Sequence, residues 1–124
     1  MADKKVLIID DSSSVRHQVT GLLGSAGFEM LEAVDGVDGA ARIRETLDLA
    51  LVICDVNMPR LSGLDMLESI QEEIKARGLP ILMLTTEADP AAIARAKNGG
   101  ARAWMVKPFK EHLLVAAATK LTAA

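Results

Sequence analysis

Short apolar runs alternate along the chain with longer segments in which apolar residues recur every three or four positions. The runs are 5–9 (KVLII), 28–33 (FEMLEA), 50–54 (ALVIC), 80–84 (PILML) and 103–106 (AWMV). Three of them lack polar alternation, as strands covered on both faces do. After the first run, Val15, Val19, Leu22, Leu23 and Ala26 form one apolar stripe at helical spacing, and Ser12 to Ser14 supply hydroxyls to cap its start. A second helix, opened by Asp35, is predicted over 36 to 47. A third carries Leu67, Ile70 and Ile74 on one face and stops near Gly78-Leu79-Pro80. Asp89-Pro90 and Asn98-Gly99-Gly100 bracket a fourth, and a fifth covers 110 to 122. Strand runs alternating with helices in this way predict an α/β fold, a doubly wound (βα)5 unit around a five-stranded parallel sheet.

Composition narrows what such a unit does. The 124 residues, 50% of them hydrophobic, suit a single domain over 1–124 with one core, and no effector domain is expected after it. A formal charge of −3, with basic and acidic residues interspersed, offers no basic face for nucleic acid and no basic helix for an anionic membrane. Cys54 is the only cysteine, so there is no internal disulfide, and no Cys/His set has zinc spacing. No apolar segment has the length of a signal core or a membrane span, and a cytoplasmic monomer is the expectation.

In an open parallel sheet, ligands bind beyond the carboxyl ends of the strands. The unusual polar residues collect there. Asp10 and Asp11 follow the first run, Asp55 the third, Thr85 and Thr86 the fourth, and Lys107 the fifth. Three converging carboxylates disfavour one another's ionisation unless a hard cation neutralises them, which points to Mg2+. That ion completes its shell with phosphate oxygens. Thr85 offers a hydroxyl and Lys107 a point charge suited to a phosphoryl group in transfer, and Asp55 remains as nucleophile, since carboxylates form aspartyl phosphates.

Taken singly, each of these residues has a plainer reading. Asp10 and Asp11 read as helix-capping acids, Asp55 as a solvated loop residue and Lys107 as a surface charge; only the set argues otherwise. His17 and His112 read as exposed helix residues, Cys54 as a buried small hydrophobe, Phe109 as core and Thr86 as a packing residue. Trp104, on the last strand, reads equally as core or as a moving part. Gly21, Gly24 and Gly27 follow no strand and make no dinucleotide fingerprint, and no phosphate-binding P-loop is present.

With the segments "IDD", "ICDVNMPRLSGLDML", "LTTEA" and "VKPF" in this order, the chain resembles the response regulator receiver domain in its single-domain, CheY-like chemotaxis form. The likeness spans the whole chain. It implies the flavodoxin-like strand order 2-1-3-4-5, which is that family's known order and is carried over. It also implies that Asp55 is the phosphoacceptor and that Asp10, Asp11 and Asp55, with the main-chain carbonyl of Asn57, bind Mg2+. The resemblance further implies that Thr85 and Lys107 contact the phosphoryl group, that the Lys107-Pro108 peptide is cis, and that Gly63 shapes the loop before the third helix. The phosphodonor implied is a phosphohistidine on a sensor histidine kinase, or a small acyl phosphate.

Two positions depart from the family pattern. Trp104 stands where Tyr or Phe is usual, and Thr86 where Ala or Gly is common. The larger ring, beside a β-branched Thr86 filling the space it would use, is expected to move less, or differently, in the Thr85–Trp104 switch. Asn57 and Glu87 match the chemotaxis-type pairing and predict a short-lived phosphoryl group. The resemblance thus implies a phosphorylation-gated switch that binds a downstream protein, with a flagellar motor switch protein as the chemotaxis target, through its fourth helix, fifth strand and fifth helix. A phosphate sink or a phosphorelay intermediate fits the same residues. A Mg2+-dependent phosphatase with an Asp nucleophile would want D-x-D-x-T and a cap domain; the segment here is Asp55-Val56-Asn57-Met58. A receiver that binds by shape without taking phosphate would not need every one of these residues.

Overall fold

The computed structural model describes residues 3–123. Five strands, β1 (Lys5–Ile9), β2 (Glu29–Ala33), β3 (Leu49–Cys54), β4 (Ile81–Thr85) and β5 (Ala103–Val106), form one sheet in the order β2-β1-β3-β4-β5. All four pairings are parallel. The expected architecture and strand order are both present. β1, β3 and β4 are buried almost throughout, because neighbours in the sheet cover their edges and helices cover both faces.

Alternation along the strands sorts the core into two layers. Val6 and Ile8 of β1 join Leu51, Ile53, Leu82 and Leu84 against Val19 and Leu23 of α1 (Ser13–Ser25) and Leu114 and Ala118 of α6 (Glu111–Thr122). Leu7 and Ile9 face the other way, joining Val52, Cys54, Ile81 and Met83 against α2 (Gly36–Glu45), α3 (Gly63–Ser69), α4 (Gln71–Arg77) and α5 (Pro90–Asn98). Helix starts follow the expected cap chemistry. Ser12 accepts from the Val15 amide at 3.3 Å, Asp35 from Asp38 at 2.9 Å and Asp89 from Ala91 at 3.3 Å.

One helix is corrected. The stripe Leu67, Ile70, Ile74 belongs not to a single third helix but to two in series, α3 and α4, broken at Ile70, whose φ of −121° and ψ of 20° leave the helical region. Ser69 Oγ donates to the Met66 carbonyl at 2.7 Å, sharing it with the Ile70 amide at 3.2 Å, and Ile70 stays buried through the break. The described residues therefore hold six helices rather than the five expected. α2 ends at Glu45, two residues short of expectation, which leaves Leu47 80% exposed.

Candidate functional site

The carboxyl ends of β1, β3, β4 and β5 bring the candidate residues to one edge of the sheet. Backbone hydrogen bonds hold the strand ends level: Asp10 N–H donates to Ala33 O at 3.1 Å, Asp55 N–H to Ile9 O at 3.0 Å and Lys107 N–H to Thr85 O at 2.9 Å. Asp10, Asp11 and Asp55 each offer a carboxylate oxygen to a group lying within 4.8 Å of one another. Asp10 and Asp55 are buried, whereas Asp11 is exposed and forms the open side.

Lys107 lies between the two buried acids. Its Nζ donates to Asp10 Oδ2 at 2.7 Å and to Asp55 Oδ2 at 3.4 Å. The remaining oxygens are engaged by backbone: Asp10 Oδ1 accepts from the Ser12 amide at 2.9 Å, and Asp55 Oδ1 from the Val56 amide at 2.7 Å. Burial drives the Asp10 carboxyl above the usual carboxylate range, and the hydrogen bonds from Lys107 and Ser12 only partly oppose it. Burial also works against the Lys107 ammonium, but the Asp10 hydrogen bond and the charges of Asp55 and Asp10 outweigh it, so Lys107 is held above the ordinary lysine value. The edge thus has more negative charge than one lysine neutralises. Ligands of an octahedral hard cation bound at about 2.1 Å stand about 3 to 4 Å apart, so this donor set fits Mg2+ with a small contraction.

Thr85 ends β4, fully buried. Its Oγ1 accepts from the Glu87 amide at 3.2 Å, which leaves its own proton free to donate. The Lys107-Pro108 peptide is cis. Asn57 is exposed in the loop after β3. That loop is closed by Gly63, the first residue of α3, whose N–H donates to Val56 O at 2.9 Å. A Cβ on Gly63 would lie 2.0 Å from the Asp55 carbonyl oxygen, so only glycine lets the helix approach the end of β3 this closely.

Thr86 is corrected: it is exposed, not packed, and lines a cavity of about 270 Å³ with Val15, Gln18, Lys107, Pro108 and Phe109. Trp104 faces a different cavity, with Ile93, Ala96 and Lys97 among its walls. In this structure, then, the two side chains border different cavities. Trp104 is half-buried against the α2–α5 layer, and its indole N–H donates to the Glu87 carbonyl at 3.0 Å. Glu87 accordingly joins Thr85, through its amide, to Trp104, through its carbonyl. Phe109 packs on the α1/α6 layer. His17 and His112 are exposed. Cys54 is buried, with its thiol pushed up by burial and by the charges of Asp55 and Asp10, so it stays protonated and is no nucleophile.

Two supports escaped the sequence reading. Arg16 on α1 donates to the Asp10 carbonyl at 2.7 Å and to Glu32 at 3.1 Å. Arg60, in the loop after Asn57, pairs with Asp35 across 25 residues. Neither has a local signal, because both partners come from other elements.

Known proteins share this arrangement. Chemotaxis protein CheY1 of Helicobacter pylori is 34% identical over 111 residues, which cover 89% of this chain and 90% of that protein. The structure of Vibrio cholerae chemotaxis protein CheY4 superposes with a TM-score of 0.88 at 36% identity, covering 97% of this chain and 99% of that one. A chain of the CheX–CheY–BeF3–Mg2+ complex from Borrelia burgdorferi shares the fold, with a TM-score of 0.89 at 24% identity over 98% of this chain and 90% of its own. The family described as the response regulator receiver domain matches residues 6–119. With its acidic edge, its strand order and its chemotaxis relatives in agreement, the chain belongs to the response regulator receiver domain family and is CheY-like.

Proposed function

We propose that this receiver takes a phosphoryl group onto Asp55 in a Mg2+-dependent reaction, with the phosphohistidine of a sensor histidine kinase as donor, and thereby changes its affinity for a partner protein. The observation that carries this reading is Lys107 Nζ set between Asp10 and Asp55 while Asp11 completes the carboxylate cluster. In the transfer an Asp55 carboxylate oxygen forms the new bond to phosphorus and the P–N bond to the donor imidazole breaks, its electron pair leaving with the ring nitrogen. Asp10, Asp11, Asp55 and the Asn57 main-chain carbonyl would hold Mg2+, which supplies positive charge against the phosphoryl oxygens and the clustered acids. Lys107 and the Thr85 hydroxyl bind the remaining phosphoryl oxygens. Asn57 and Glu87 flank the acceptor and give the phosphoryl group a short life.

The same chain then acts on itself once and is not a turnover enzyme. Its output would leave through the face of α5, β5 and α6, where Ile93, Val106 and Leu113 are 36%, 43% and 49% exposed. The chemotaxis relatives, of which it covers most of the length, support a part in chemotaxis signalling; a cytoplasmic single domain acting on a flagellar motor switch protein is the use we infer, and a phosphate sink or relay is the alternative use of the same site. Among the described residues no helix is long and apolar enough to cross a membrane. Mass spectrometry after acetyl phosphate should show one phosphoryl group per chain with Mg2+ and none after chelation. Steady-state turnover of a phosphomonoester, or labelling indifferent to the metal, would overturn the reading.

The Thr85–Glu87–Trp104 connection gives a second expectation. When Thr85 turns its hydroxyl to a phosphoryl oxygen, Glu87 shifts with it and the indole loses or strengthens its bond to the Glu87 carbonyl. Fluorescence of Trp104, the sole tryptophan, should therefore change on adding Mg2+ with a phosphoryl mimic. A spectrum that stays constant would take Trp104 out of the switch.

A further inference from the structure

Arg60 sits in the left-handed region with φ 65°, the only non-glycine to do so among the described residues. Residues with a Cβ seldom hold that conformation without a reason in their surroundings. Here the surroundings are the start of α2. The guanidinium forks onto Asp35, with Nε to Oδ2 at 2.7 Å and Nη2 to Oδ1 at 3.1 Å. The Asp35 side chain is 5% exposed and that of Arg60 59%, so the arginine closes from outside over a buried carboxylate. This pairing holds the Asp35 carboxyl below the usual range.

The next residues repeat the attachment. Gly36 N–H donates to Leu61 O at 3.0 Å, and a Cβ on Gly36 would lie 2.4 Å from that oxygen, so helix and loop are in backbone contact. The attached loop begins at Asp55, carries Asn57 and ends at Gly63. α2 does not need Arg60 for its own start, since Asp35 already caps it through the Asp38 amide. What the clasp adds is a fixed position for the loop.

We propose that Arg60 is a positioning residue: by clasping Asp35 from a left-handed backbone it presets the loop that follows the phosphoacceptor, and with it the Asn57 carbonyl, for the divalent ion. This rests on the Mg2+-dependent reading above. A support outside the ligand set commonly controls metal affinity by roughly 10- to 100-fold. The clasp is reached through one loop, so the lower end applies here.

Isothermal titration of Mg2+ into the metal-free protein, with amide hydrogen exchange at Gly36, tests it. Arg60→Ala should weaken Mg2+ binding roughly tenfold and speed exchange of the Gly36 amide. Arg60→Lys, which keeps the charge but not the fork, should fall between it and wild type. Asp35→Asn, which keeps a capping oxygen, should match Arg60→Ala, and the double variant should lose no more than either single. Arg60→Gly relieves the backbone and so separates positioning from folding: its thermal midpoint should hold while its Mg2+ affinity falls. Wild type that binds Mg2+ alongside an Arg60→Ala that binds it equally well would overturn the clasp alone. Wild type that binds no Mg2+ would overturn the phosphoryl-transfer reading, and the clasp's role with it.

Discussion

Asp55→Asn is expected to abolish phosphoryl incorporation from acetyl phosphate while leaving the fold in place. The amide matches the carboxylate in size and can still accept the Val56 N–H, which Asp55 Oδ1 now takes at 2.7 Å. Lys107 keeps its closer partner, Asp10, at 2.7 Å. What disappears is the anionic oxygen that, in the proposed transfer, bonds to phosphorus. One of three crowded negative charges goes too, so without metal the thermal midpoint should not fall, whereas Mg2+ binding should weaken for want of a charged ligand. Mass spectrometry of the intact chain reads the first effect and a metal titration the last. Incorporation equal to wild type would move the acceptor elsewhere, with Asp10 and Asp11 the nearest candidates.

That such a test can be framed from residue numbers reflects how this fold writes its site into the chain. The central strands β1, β3 and β4 are apolar runs buried on both faces, and each candidate side chain stands at or just past the end of a strand. Asp10, Asp55, Thr85 and Lys107 are therefore legible as a group in the sequence, because a parallel sheet puts all strand ends on one edge. The break at Ile70 was not legible, since the apolar spacing of Leu67, Ile70 and Ile74 runs straight through it and every member stays buried. Ser69 was the available signal, a hydroxyl able to turn back on its own helix, but such a residue is equally at home pointing to solvent.

Thr86 was misread, and Arg60 left unread, for a different reason. A β-branched residue after a buried strand reads as packing, yet β4 ends at Thr85 and the chain turns outward one residue later. The partner of Arg60 is 25 residues away, and nothing in the loop states which acid it meets. Strand ends are dictated by local pattern. Pairings between elements are dictated by the finished fold, and the supports of this site, Arg16 on Asp10 and Arg60 on Asp35, belong to that second class.

Gly63→Ala and Gly21→Ala, the same methyl added at two glycines, should act with opposite sign. At Gly63 the new Cβ would meet the Asp55 carbonyl oxygen at 2.0 Å and Cys54 Sγ at 3.0 Å. The obstacle is backbone at the end of a central strand, which cannot swing aside as a side-chain tip can. Overpacking of this kind costs roughly 1–3 kcal/mol, and contact with fixed backbone places it at the upper end. A loss of that size in a domain of this length lowers the thermal midpoint by on the order of 10 °C. The relief available is for α3 to back away from β3, which pulls Asp55 from Lys107, so acetyl phosphate labelling should slow even where the protein remains folded. At Gly21, within α1, nothing lies within 4 Å of the added methyl, and the backbone is helical. Alanine there should stabilise by about 0.5–1 kcal/mol, because it restricts the unfolded chain and suits the helix, with labelling unchanged. Thermal unfolding of the two variants beside labelling rates reads both signs at once. A Gly63→Ala protein as stable and as readily labelled as wild type would show that α3 does not press on the end of β3.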